Sequence, residues 1–138
     1  MENVVNSKEE LRVPYGLSVH GEEEIEAVVE VLRTSTQMSK NVLSFEKSIA
    51  KLFAKNYGVM VNSGSSALYV LIESLNLPKG SEVITPALTF ATTVGCLVKN
   101  DLKPHFVDVG LDTYCVDLEK ISQAINANTS AIIAPDLM

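Results

Sequence analysis

The chain reads as an α/β fold, a mostly parallel sheet with helices on both faces. Two observations predict this. From Gly58 onward, four short apolar runs alternate with stretches of helical period, the order that βαβ units produce. The runs are also bounded by small residues or proline rather than by hairpin turns, and parallel strands covered on both faces read that way. The chain is organised around Val59–Leu68. Gly58–Val61 reads as a buried strand, Asn62-Ser63-Gly64 as a break, and Ser65–Leu75 as a helix.

The first twenty residues carry no period and include Pro14-Tyr15-Gly16, which predicts an extended arm over 1–20 and a folded portion over 21–138. Helical spacing begins at Gly21. Ile25, Val28, Val29 and Leu32 share a face, and Glu22, Glu23 and Glu24 stand in the first turn, where acidic groups suit the helix dipole. Thr34–Asn41 is a polar connector. A second helix aligns Val42, Phe45, Ile49, Leu52 and Phe53. Glu82–Pro86 then reads as a strand stopped by proline, Thr89–Lys99 as a helix, and His105–Val109 as a strand. Asp117 is placed to cap a short helix carrying Leu118, Ile121 and Ile125, and Ser130–Ala134 is the last strand, ended by Pro135.

Composition narrows the function. With 138 residues, 46% of them apolar and 20% charged, the chain can fold around one core. A net charge of −6 without a Lys/Arg cluster disfavours a nucleic-acid surface. No apolar run approaches the roughly 18 residues of a membrane span. The start, Met1–Glu10, is polar and acidic rather than signal-like. Cys96 and Cys115, in apolar patterns, read as small core residues of a reducing compartment, so the cytoplasm is expected.

The chemistry concentrates in turns. In an open α/β sheet, ligands bind beyond the carboxyl ends of the strands, where Asn62–Ser66, Pro86–Phe90 and Val107–Gly110 converge on this reading. The first backbone N–H groups of a helix lack internal partners and carry the positive end of its dipole. A phosphate at Ser65 and Ser66 therefore meets donors, with Gly64 giving clearance. Asn62 and Ser63 serve equally as ordinary helix caps. Phe90 is placed either to stack on a flat ring or to join the core. His20 and His105 stand alone, so no metal site is expected. The turn is neither GxGxxG nor a lysine-bearing P-loop.

Val61-Asn62-Ser63-Gly64-Ser65-Ser66-Ala67-Leu68 resembles the NSGTSAL signature of the DegT/DnrJ/EryC1/StrS family of pyridoxal-phosphate sugar aminotransferases. Pro86–Thr93 is similar to that family's P-x-x-T-F-x-A-T segment. His105–Val109, with Thr113-Tyr114 and Val116-Asp117, resembles its VFVDVD…TYNID stretch, and Thr129–Ile133 its TKAII. Gly21–Glu24 and Phe45-Glu46 fit its opening helices. The match runs in order through nearly the whole chain and corresponds to about the first third of a family member.

The resemblance implies part of the large domain of a fold-type I enzyme. Its cofactor would be pyridoxal 5'-phosphate, with Gly64, Ser65 and Ser66 at the phosphate and Phe90 on the pyridine face. It further implies amino transfer from glutamate to a keto-sugar nucleotide, or the sister 3-dehydration in which histidine replaces the Schiff-base lysine. A homo-oligomer, a dimer in this family, and a role in polysaccharide biosynthesis are also expected. The catalytic lysine and the aspartate facing the pyridine nitrogen fall beyond Met138 in the family, so this chain supplies no catalytic residue and is expected to be inactive alone. A non-catalytic phosphate-binding or interaction module is the rival reading. Lys40-Asn41 departs from the family's Gly-Pro, and Asp136 from its His.

Overall fold

The computed structural model describes residues 13–14, 16–37 and 39–135. Most of the expected arm, and Asp136, lie outside them. Eight elements follow one another: α1 (Glu22–Thr34), α2 (Lys40–Leu52), α3 (Gly64–Ser74), β1 (Glu82–Pro86), α4 (Ala91–Lys99), β2 (Lys103–Val107), α5 (Leu118–Ala124) and β3 (Thr129–Ile132). The three strands form one parallel sheet in the order β2-β1-β3. β1 is thus flanked on both sides, and all but the first of its five residues are buried.

Alternation along β1 divides the core. Val83 faces α3 and α4, packing with Ile72, Cys96, Leu97 and Leu102. Ile84 faces the other way, onto Val107 of β2 and Ile121 of α5. Helices therefore cover both faces, as the apolar runs predict. Asp117 caps α5 as expected, its carboxylate accepting from the amides of Glu119 (2.9 Å) and Lys120 (3.3 Å). The chain runs from β1 to β2 on one side and returns to β3 on the other, so the topological switch point lies at the carboxyl end of β1.

The structure corrects several expectations. No strand forms at Gly58–Val61 among the described residues; a strand needs a neighbour for its ladder, and here the amide of Met60 donates to Glu46 Oε1 instead, at 2.8 Å. β2 begins and ends two residues earlier than expected, and Val109 pairs only as an isolated antiparallel bridge with Val116. α4 starts at Ala91 because Phe90 keeps an extended backbone (φ −73°, ψ 143°) and stands at the cap position. Cys96 is buried, but Cys115 is exposed. The apolar face read on α1 is uncovered, with no residue of the helix buried. On α2, Phe45, Leu52 and Phe53 are exposed and Ala50 is the buried residue.

At the amino edge of the sheet, Glu82 Oε2 accepts from Asn126 Nδ2 (2.8 Å) and lies 3.3 Å from His105 Nδ1. These bonds stitch the α5–β3 turn and β2 to β1. The Asn126 amide, ahead of His105, holds the Glu82 carboxyl below its ordinary value. A carboxylate with a lowered folded-state pKa stabilises the fold above its unfolded-state value, and that contribution is lost as pH falls through the folded one. Urea midpoints measured from neutral pH down through the carboxylate range should therefore fall less steeply in Glu82→Gln than in wild type.

Thr85 shares the face of Val83. It is 0% exposed, and its hydroxyl has no hydrogen-bond partner. An unsatisfied buried polar group costs about 1–3 kcal/mol. Thr85→Val keeps the branched shape and removes the orphan, so it should stabilise the chain by about 1 kcal/mol. An unchanged or lowered urea midpoint would contradict this.

Candidate functional site

The Asn62–Ser66 turn stands at the start of α3, and its hydrogen bonds can be accounted for donor by donor. Ser63 is the cap, with extended backbone (φ −161°, ψ 159°). Its Oγ accepts from the Ser66 amide at 3.1 Å, and its carbonyl accepts from the Ala67 amide at 3.0 Å. The Ser66 hydroxyl donates to Asn62 Oδ1 at 2.6 Å. The Ala67 bond is the first regular bond of the helix, so the Ser63 side chain satisfies one of the four orphan donors of the helix start, the Ser66 amide. The amides of Gly64 and Ser65 have no protein partner among the described residues. A Cβ built on Gly64 would meet nothing within 4 Å, so the backbone there is open to close approach.

A second helix start stands beside the first. Ser65 Oγ lies 3.4 Å from Thr92 Oγ1 in the first turn of α4, and Thr89 Oγ1 donates to Thr93 Oγ1 at 2.9 Å. The Ala87 amide donates to the Val107 carbonyl at 2.8 Å, joining the ends of β1 and β2. Of the three turns expected to converge, Pro86–Phe90 and Val107–Gly110 are joined by the Ala87–Val107 bond, and Asn62–Ser66 reaches the helix that follows Pro86–Phe90 through Thr92. Phe90 projects from the cap position of α4 and is 68% exposed. Of the two placements open to it in the sequence, the ring is outside the core.

Electrostatics distinguish these helix ends from those of α1 and α5; α2, which opens on Lys40, also has no acidic residue in its first turn. α1 begins with three glutamates, and α5 with Asp117 and Glu119. Neither α3 nor α4 has an acidic residue in its first turn, so two uncompensated dipole ends lie side by side, a setting that favours an anion. Asp108, at the third turn, has Lys120 Nζ at 3.5 Å as a counter-charge. A hollow of about 320 Å³ elsewhere, at the α1–α2 connection, is lined by Val31, Leu32, Ser35, Thr36, Gln37 and Asn41. Lys40 is the exposed first residue of α2. Among the described residues, no group of three His, Cys, Asp or Glu side chains is placed to hold a metal, and no helix is long and apolar enough to cross a membrane. Thr92 was not singled out in the sequence; its signal is its place three residues beyond Thr89 at a helix start.

The sequence model of the DegT/DnrJ/EryC1/StrS aminotransferase family matches residues 18–138. The chain belongs to this family. A GDP-4-keto-6-deoxy-D-mannose 3-dehydratase of Yersinia pseudotuberculosis is 34% identical over 135 residues, covering 93% of this chain and 34% of that protein. Among solved structures, the Escherichia coli GDP-4-keto-6-deoxy-D-mannose-3-dehydratase with bound hydrated PLP superimposes with a TM-score of 0.82 at 33% identity, over 89% of this chain and 33% of that one. Spr1654 of Streptococcus pneumoniae, a candidate sugar aminotransferase in its PMP form, gives 0.81 at 27% identity, over 92% and 32%. The chain spans about a third of the length of these relatives. The partial fold-type I architecture expected from the resemblance holds, and the family's cofactor is pyridoxal phosphate or its amine form.

Ser63→Ala removes the side chain that caps α3 and should destabilise the chain by about 1 kcal/mol. The check is a urea titration followed by circular dichroism; a change within a few tenths of a kcal/mol would mean that another group takes over the cap.

Proposed function

We propose that the start of α3 seats the phosphate of pyridoxal 5'-phosphate, and that this chain is the first third of an enzyme acting on a nucleotide-linked keto-sugar. The observation that carries the reading is the pair of unpartnered amides at Gly64 and Ser65, on a helix start without acidic residues and beside a second such start. The donor set fits the group. The Gly64 and Ser65 amides and the Ser65 hydroxyl would hold phosphate oxygens. Ser66 would join by exchanging its bond to Asn62 for one to the ligand. Phe90, exposed beside the seat, would cover one face of the ring.

When bound, the cofactor supplies a conjugated ring that accepts electrons from bonds broken beside an attached amino group. This chain's residues anchor it and orient it, and Phe90 excludes water from one side. Relatives at 34% identity whose names specify 3-dehydration support that branch over amino transfer for the whole protein. Amino transfer from glutamate is the second reading, supported by the likeness to Spr1654 in its PMP form. By family resemblance a histidine beyond Met138 in the encoding gene favours the first, and a lysine the second.

Each exposed helix-end interaction is worth only about 0.3–1 kcal/mol, so binding to the chain by itself is weak and falls with added salt. Titration with pyridoxal phosphate or inorganic phosphate should move the amide resonances of Gly64–Ala67. Ser65→Asp, which puts a carboxylate where the anion would sit, should abolish the response. If wild type shows no movement at these amides, the turn is only a cap and the proposal falls.

A further inference from the structure

The segment that leads into the seat is held from outside it. Tyr57–Asn62 forms no ladder, and among the described residues the Met60 amide is the only backbone amide of this stretch with a protein partner. That partner is Glu46 Oε1 on α2, fourteen residues earlier in the chain and 2.8 Å away. A second contact acts at the same place. A Cβ built on Gly58 would stand 2.6 Å from the Glu46 carbonyl oxygen and 3.3 Å from its carbon. The backbone of the segment therefore lies directly against the backbone of α2, at a distance that only glycine permits. Glu46 sits on the less exposed stripe of α2, with Val42, Ile49 and buried Ala50.

We propose that Glu46 is a positioning residue for the phosphate seat; this rests on the seat proposed above. Only Val61 and Asn62 separate Met60 from the Ser63 cap. With two soft dihedrals per residue, so short a link passes a displacement at Met60 on to the cap. Asn62 in turn accepts the Ser66 hydroxyl, and Ser63 the Ser66 amide. The carboxylate on α2 thus fixes where the free amides of Gly64 and Ser65 stand relative to the start of α4. The role is geometric and needs an acceptor oxygen at the end of a side chain of this length, so glutamine should fill it and alanine should not.

The test measures binding of inorganic phosphate and pyridoxal phosphate to the full chain and to three variants, with Gly64–Ala67 amide shifts and helix content recorded in each. Glu46→Ala should shift those amides in the unliganded chain and weaken binding roughly tenfold, the scale of one charged hydrogen bond. Glu46→Gln should bind within about twofold of wild type. Gly58→Ala, which leaves the carboxylate in place but forces the two backbones apart, should weaken binding in the same direction; it is the deciding variant if Glu46→Ala loses helix content. Equal binding by wild type, Glu46→Ala and Gly58→Ala overturns the role of Glu46 and leaves the seat standing. So does glutamine failing as badly as alanine. Absence of binding by wild type overturns the seat itself, and this role with it.

Discussion

The parallel pairing of β1 on both of its edges is the constraint on which the rest depends. Because β2 and β3 both run with β1, each connection must cross back over the sheet, and each crossover brings a helix onto a face. The sequence of β1 is suited to that place. Val83 and Ile84 point to opposite sides and each fills a separate core, and full burial of such side chains stabilises by about 1.5–3 kcal/mol apiece. Thr85 is the exception, a hydroxyl carried into the interior without a partner. At the amino edge the polar bonds of Glu82 to Asn126 and His105 close the register, just where the β1–β3 ladder slips by one residue.

The same parallel order places the site. A helix that leads into or out of a parallel strand runs against it, so α3 and α4 both begin near the carboxyl ends of the strands. Their first turns meet through Ser65 and Thr92. Two dipole ends of like sign side by side repel one another unless something negative stands between them. α1 and α5 meet the same demand internally with glutamates and Asp117. α3 and α4 do not, which is the setting on which the proposed phosphate seat rests.

Much of this was legible in the sequence, and what was not has a common cause. The Asp117 cap, the three paired strands and the convergent turns follow from local chemistry, which a sequence states directly. Gly58–Val61 has the composition of a strand, yet whether it becomes one depends on a neighbour far away in sequence, and among the described residues none pairs with it. Periodicity on α1 identified an apolar face correctly, but a face says nothing about what covers it; Val28 is 59% exposed. The contact between Gly58 and Glu46 is tertiary in the same sense. A glycine ahead of an apolar run is ordinary until the opposing helix is in place, and only then does the missing Cβ have a reason.

The cap and the proposed seat, open alternatives in the sequence, are compatible once donors are counted. A helix start has four amides to satisfy. The Ser63 hydroxyl takes one of them, the Ser66 amide, while its carbonyl accepts the first regular bond of the helix from Ala67, and together these hold the first turn in shape. Among those it leaves, the amides of Gly64 and Ser65 open the helix, where Gly64 has no side chain to obstruct approach. A stronger cap, able to take up all four, would leave no free amide there. With none, the first turn would fray and the free amides would have no fixed direction. Partial capping by a short side chain satisfies both demands, and serine at 63 followed by glycine at 64 is the pair of residue types that allows it.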